Sequence, residues 1–589
     1  MHDLDVPVLI VGGGGAGLTA SMLLSELGVD HLLVNAWPGT SVLPKAHLLN
    51  QRTMEIFRDL GLDEPIYAAG APTESMTHSG WYAGLAGGHP DAGRRIATVE
   101  SWGAAGTTPE WAGASAQRPT NLPQIRLEPH LRRRAEELAG PDRVRFHHEL
   151  TAFSQDAEHV TATVTRRDTG ENYRVRARYL LAADGGRTVG PALGIAAEGM
   201  RDVARVVTFH LTADLSRWAR DPHVLIRWLW LPDTAAAGVL VPMGPERWGP
   251  DSEEWVLHLN YGADDERSLD DEAVVADLRA ALGIGDHPVH IHMISRWNVE
   301  GIVAERFREG RVLLLGDAAH RHPPTGGLGL NSAVQDAHNL AWKLAAVLSG
   351  GAGEALLDTY EAERKPVTAT NVRRSLENAL NHLVTTDLIG GSAEAGAESN
   401  WRSLSRIWSE RPEDAEHRAS VLRAIASQSM EFSEHNIEYG FTYDSAAVVP
   451  DGTEPPVSPD PVRIYRADAR PGHPLPHAWL DTPDGDRLPV MDLIAPGRFL
   501  LVAGEEGSAW TEAAVKAGAA TGVPLDAVRV GHLDGDYRDP RSTWTRLRGH
   551  GPGGAVLVRP DRFVAWRAQD AASDCEAELT AVLRRLLAH

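Results

Sequence analysis

The chain reads as a mixed α/β (α+β) protein organised around a Rossmann-like nucleotide-binding unit, and three separated stretches predict it. Residues 8–11 are an apolar strand run, followed by Gly12-Gly13-Gly14-Gly15-Ala16-Gly17 and a helical pattern of Leu18, Met22, Leu23 and Leu27. Residues 179–183 form a second apolar run that ends in Asp184-Gly185-Gly186-Arg187. Residues 312–315 form a third, which leads into Gly316-Asp317, a proline pair, three glycines and a helix. Short uncharged runs of this kind suit strands covered on both faces.

Each piece has a physical task. Gly12 permits the turn, Gly14 lets a pyrophosphate approach the backbone, and Gly17 lets the helix pack closely on the strand, with Gly15 and Ala16 completing the loop. The next strand, residues 31–34, ends at Asn35, where an acid is the usual ribose ligand; an amide still donates to and accepts from ribose hydroxyls. In the third stretch Asp317 faces a polyol. Pro323 and Pro324 stiffen the segment, and Gly326, Gly327 and Gly329 remove side chains that would hold the backbone away from a planar ligand. Val334, Ala337, Ala341, Leu344 and Leu348 then recur at helical spacing, so a helix begins where the glycines stop. Its positive end favours a ring that becomes anionic on reduction, as a flavin does. The plain alternative is a Gly/Pro connector between strand and helix.

The order glycine turn, Asp-Gly, Gly-Asp-Ala-Ala-His-Arg-His-Pro-Pro resembles the single-component FAD-dependent aromatic hydroxylases of the p-hydroxybenzoate hydroxylase fold. Further segments extend the likeness toward the 2,4-dichlorophenol and 2-hydroxybiphenyl (phenol) ortho-hydroxylase branch. They are Pro44-Lys45-Ala46-His47 with 50–56, Asn121-Leu122-Pro123-Gln124 with 127–129, the helix from Asn331 to Leu344, and Arg559-Pro560-Asp561 with 563–567. The resemblance implies a tightly held, non-covalent FAD, NADPH or NADH as a transient co-substrate, and O2. It also implies attack of a flavin C4a-hydroperoxide on a phenolic ring, ortho to the hydroxyl. Gly12, Gly14, Gly15, Ala16, Gly17, Asn35, Lys45, Gln124, Asp184 and Asp317 are then expected along the ADP and ribityl parts of FAD. Pro324, Gly327, Gly329, Leu330 and Asn331 are expected to present backbone to the isoalloxazine. His47 is the candidate base for the phenolic proton, as an imidazole titrating near neutrality; its alternative is a solvated or structurally bonded histidine. Asn121, Trp228, His322 and Pro323 are candidate substrate contacts, with sheet packing the plain reading for Asn121 and Trp228, and His320 reads as structural. Lys45 stands where relatives often carry Arg, so a bidentate contact is not available there.

Composition narrows the classes. Net charge is −23, with 80 acids against 57 Lys and Arg and no basic tract, which argues against nucleic acid. Residues 6–25 carry no charge, but five glycines and a proline among them, after Asp3 and Asp5, argue against a membrane span or signal. Cys575 is the sole cysteine, so neither a disulfide nor a thiolate metal cluster is expected, and the chain reads as cytoplasmic and metal-free; the resemblance implies a homodimer.

The motifs divide the chain into a discontinuous FAD domain (1–189 and 301–350), an antiparallel-sheet substrate domain (190–300), a helical region (351–448) broken by a loop at 390–396, a linker (449–461) and a small α/β C-terminal domain (462–589), which the resemblance implies is thioredoxin-like, here without a Cys pair. One glycine fingerprint, where flavin reductases and Baeyer-Villiger oxygenases usually have two, implies that the nicotinamide binds transiently. Rival readings are a tailoring hydroxylase of a polyketide or aminohydroxybenzoate and a flavin-dependent halogenase, suggested by Trp228-Leu229-Trp230-Leu231-Pro232. A non-catalytic FAD protein or simple oxidase is the third.

Overall fold

The three apolar runs do become neighbours. In the computed structural model, which describes residues 3–262, 269–389 and 394–588, strand Asp3–Val11 lies between His31–Asn35 and Asn172–Ala182, and Val312–Leu314 lies beyond the last, all four parallel. The register pairs Val11 with Ala182 and Ala182 with Leu314. The glycine turn, Asp184 and Asp317 therefore leave the sheet at the same edge, the carboxyl ends where open parallel sheets bind ligands. Val144–Phe146 extends the sheet beyond His31–Asn35, and the hairpin of His148–Gln155 and Val160–Arg166 pairs with Asn172–Ala182. Residues 390–393 of the anticipated loop fall outside the described residues.

The second sheet has eight strands. Its order is His320–Arg321, His290–Ala304, Ala197–Thr212, Glu254–Gly262, Ala236–Gly244, Val224–Leu231, His78–Ala83 and Arg95–Glu100. The 190–300 boundary is thus too narrow. Two strands come from within 1–189, and the far edge is supplied by the loop after Asp317. Period-2 alternation separates the faces: Trp255, Leu257, Leu259 and Tyr261 pack under helix Asp271–Leu282, while Val256 joins Trp81, Trp230 and Val241 in a second cluster.

The C-terminal unit is a seven-stranded mixed sheet with helices Ser508–Thr521 and Cys575–Leu586. The anticipated linker is fastened to it, since Val449 N–H donates to Ala565 O (2.8 Å) and Asp451 pairs with Arg567 (2.7 Å). This unit shares one apolar core with the FAD domain, Trp342 meeting Phe499 edge-on at 5.7 Å.

Across the seam runs a fully buried charge cluster. Arg559 donates to Glu363 (2.6 and 2.9 Å) and Asp561 (2.5 Å), and Lys343 donates to Glu363 (2.7 Å). Burial pushes Lys343 down to about 8, against the pull of Glu363. Removing one member of such a cluster leaves an uncompensated interior charge. Arg559→Met is expected to cost about 3 to 5 kcal/mol of stability, read as a lowered Tm; an unchanged Tm would show that Glu363 and Lys343 suffice alone.

Candidate active site

Two helices start at the common edge, and neither has a side-chain cap. Gly14 caps helix Gly15–Glu26 and Gly327, at φ +66°, caps helix Leu328–Leu348, leaving the first amides of both free for a ligand. The two starts are in contact. A β-carbon on Gly15 would stand 2.6 Å from Leu330 Cδ1, and one on Gly316 would stand 3.2 Å from Ala16 Cβ. One on Gly17 would meet Gly12 O at 1.9 Å, so the helix can pack here only without a side chain. Asp317 is exposed at this edge, with no side-chain hydrogen bond among the described residues. Uncapped positive helix ends, a free carboxylate and bare backbone fit the pyrophosphate, polyol and ring of FAD.

Asp336, on helix Leu328–Leu348, holds the Asp317 turn. Its carboxylate accepts from Gly316 N–H (3.0 Å), His320 Nε2 (2.7 Å) and Arg364 Nε (2.8 Å). Burial raises its pKa, but His320 and Arg364 outweigh burial and hold it below the usual carboxylate range. Asn331 performs a parallel task, accepting from Asn50 N–H (3.0 Å) and donating to Leu48 O (3.0 Å) and Gly327 O (2.7 Å). The segment that carries His47 is thereby fixed to the glycine loop.

Buried polar atoms without partners lie on that segment and on the glycine loop: His47 Nδ1 and both amide atoms of Asn121, whose strand pairs with Leu48, and both ring nitrogens of His322, which stands beside Gly329. Burial pushes His47 down to about 4, although Asn121 lies close enough to favour its charged form. Burial, and then neighbouring His47, push His258 down to about 4 as well; it is bonded to Thr208 Oγ1 at 2.8 Å. Burial and His320 keep His322 well below the ordinary value. All three imidazoles are neutral at pH 7. The expectation of a His47 that titrates near neutrality is corrected accordingly: its ring sits in a dry environment that penalises charge.

An FAD binding domain model matches residues 5–375, and an aromatic-ring hydroxylase C-terminal model matches 468–589. The chain is an FAD-dependent aromatic-ring hydroxylase. The hydroxylase is 36% identical over 595 residues to a 2,4-dichlorophenol 6-monooxygenase of Delftia acidovorans, covering 99% of this chain and 98% of that one. It is 36% identical over 607 residues to a putative polyketide hydroxylase of Streptomyces halstedii, covering 99% and 96%. Among solved structures, that of the flavin-dependent monooxygenase PieE in complex with FAD and substrate matches at a TM-score of 0.91 and 40% identity, covering 99% of each chain. The hydroxylase is a flavoprotein monooxygenase that uses FAD, NAD(P)H and O2.

Some residues singled out from the sequence have other visible work. Asn35 Oδ1 accepts from Gly13 N–H (3.1 Å), so the amide braces the glycine turn. Asp184 accepts from the amides of Gly186 (3.1 Å), Thr188 (2.8 Å) and Val189 (2.8 Å), which shapes its own turn against Gly12. Gln124 donates to Glu128 (2.5 Å), a buried acid that also accepts from Ser41 N–H (2.6 Å). Lys45 is exposed, with φ +44°, and Pro323 is buried while Pro324 is exposed. Trp228 and Trp230 sit on strand Val224–Leu231 and pack in one aromatic cluster, so their spacing is that of a strand face.

Sequence reasoning gave no role to Glu128, Asp336, Arg364 or His258, although Glu128 and Asp336 stand in segments that carry the resemblance. Below the glycine loop it also missed two buried acids. Burial raises Glu434 to about 7 despite Arg374, and burial together with Glu434 raises Glu438 to about 8. A raised carboxyl keeps its proton in the fold, so its stability contribution is lost as pH climbs from about 4.5 through about 8. Glu438→Gln should therefore gain Tm over wild type progressively across that window, with little difference at pH 4.5. A gain that is flat with pH would contradict a neutral buried Glu438.

Proposed function

We propose that the hydroxylase inserts one oxygen atom into a phenolic ring, ortho to the hydroxyl. The observation that carries this reading is the set of unpartnered polar atoms at His47 and Asn121, and at His322 beside the bare backbone of the glycine loop. Gly12, Gly14, Gly15, Ala16 and Gly17 would hold the pyrophosphate, and Asn35, Lys45, Gln124 and Asp184 would line the ADP half. Asp317 would hold the ribityl chain; Pro324, Gly327, Gly329, Leu330 and Asn331 would face the ring. FAD, reduced by NAD(P)H and exposed to O2, supplies electrophilic oxygen.

The remaining work belongs to the chain. The phenol hydroxyl donates to neutral His47, with Asn121 alongside, and this draws electron density into the ring. A developing phenolate beside His47 favours the imidazolium, so an imidazole that begins at about 4 becomes a better proton acceptor as the phenol ionises. His322, Pro323 and Trp228 would close the chamber against water.

A second reading, hydroxylation of a larger polycyclic phenol, is favoured by the aromatic wall of Trp81, Trp102, Trp228, Trp230 and Phe432, which is longer than one ring. Relatives named as polyketide hydroxylases agree with it. A homodimer belongs to the same proposal. It is supported by Leu380, Leu383 and Val384, exposed at i, i+3 and i+4 on helix Asp358–Ile389 and fitted to cover a second copy, and sedimentation would read it.

Substrate-stimulated NAD(P)H oxidation, with label from 18O2 in the product, tests the activity. His47→Asn should slow hydroxylation of a high-pKa phenol by about a hundredfold, slow nitrophenols far less, and leave FAD content intact. Unchanged rates would remove His47 from the reaction.

A further inference from the structure

The glycine loop and the aromatic wall are joined by a single carboxylate. Glu431, 4% exposed, accepts from Gly326 N–H through Oε1 (3.2 Å) and from His382 Nε2 through Oε2 (2.6 Å). The His382 ring lies on Trp228 at 3.7 Å between centroids and 22° between planes. Trp228 is in turn parallel to Trp81, at 6.4 Å and 9°. Phe432, next in sequence to Glu431, meets both Trp81 (6.1 Å) and Trp102 (5.9 Å) edge-on. One short segment thus touches the backbone that would face the flavin and the rings packed on one face of the roof sheet.

Plain packing does not account for this arrangement. An apolar residue would fill the volume at Glu431 without the penalty of burying a carboxyl group, and its two oxygens are directed to different partners, Gly326 and His382. His382 lies on the same helix as Arg374, which holds the adjacent acid Glu434 (2.6 Å), so the helix is fastened to the Glu431 segment at a second point.

We propose that Glu431 and His382 are positioning residues that hold the Trp81–Trp228 wall in register with the Gly326 loop, and so set the preference for phenols carrying a second flat ring. This rests on phenol hydroxylation as the activity. Such a substrate lies along the wall while its phenol reaches His47, and any slack between wall and loop moves the reacting carbon away from the oxygen donor.

The test uses the FAD-loaded enzyme, with phenol and 2-hydroxybiphenyl as probes. Kd is read from the perturbation of flavin absorbance, and coupling from H2O2 released per NAD(P)H consumed. Glu431→Gln retains size but loses one acceptor; His382→Phe keeps a ring on Trp228 but cuts the link to Glu431. Both variants should weaken 2-hydroxybiphenyl binding by about tenfold or more, raise H2O2 release, leave the Kd of phenol within about twofold, and retain FAD. If His382→Phe behaves as wild type with both probes, stacking alone suffices and the proposal falls. If wild type turns over neither phenol, the fault lies with the activity it rests on.

Discussion

The buried carboxylate of Asp336 is the interaction on which the rest of the site depends. It is sealed from solvent, and it gathers the Gly316 amide, the His320 imidazole and the Arg364 guanidinium around two oxygens. An interior anion is tolerated only with such a set of donors, and losing any of them would leave a charge or a polar group unsatisfied. The three donors come from the strand-end turn, the loop beyond it and a separate long helix. Their convergence fixes where Asp317 leaves the sheet relative to the start of helix Leu328–Leu348.

From that point the constraint spreads in two directions. At His320 and Arg321 the loop pairs with strand His290–Ala304, so the same backbone that follows the Asp317 turn also forms the border of the roof sheet. On the other side Asn331 ties the helix start to the Leu48–Asn50 segment, which brings His47 to the glycine loop. Arg126 reaches the roof as well, pairing with Glu254 at 2.6 Å next to His210, so the helix that begins at Gln124 is attached to both sheets. The two sheets and the His47 segment are therefore not independently adjustable. Distant parts of the chain keep their relative places because a few buried polar side chains each touch two of those parts.

Much of this was legible in the residues themselves. Apolar runs at 8–11, 179–183 and 312–315 announce covered strands, and the glycines at 12, 14 and 17 announce the turn, because steric limits on backbone approach are local. Asp317 was legible for the same reason, as a carboxylate placed directly after a strand. What escaped was decided by partners far away in sequence. Strands His78–Ala83 and Arg95–Glu100 carry no mark that assigns them to the roof. Asn35 and Asp184 also brace backbone turns, a task that only the fold creates. His47 looks like an ordinary imidazole until burial strips its basicity. Glu431 and His382 sit in a helical region with no motif at all, and their meaning comes from Gly326 and Trp228.

The most direct measurement is the FAD affinity of an Asp336→Asn variant, by titration of the apoprotein with FAD and flavin fluorescence, alongside far-UV circular dichroism. Asparagine keeps the shape but lacks the charge that holds His320 and Arg364, so FAD binding should weaken by at least about tenfold while helix and strand content persists. Wild-type affinity in a folded Asp336→Asn protein would show that the Asp317 turn stands without its anchor, and would contradict the central role given to this carboxylate.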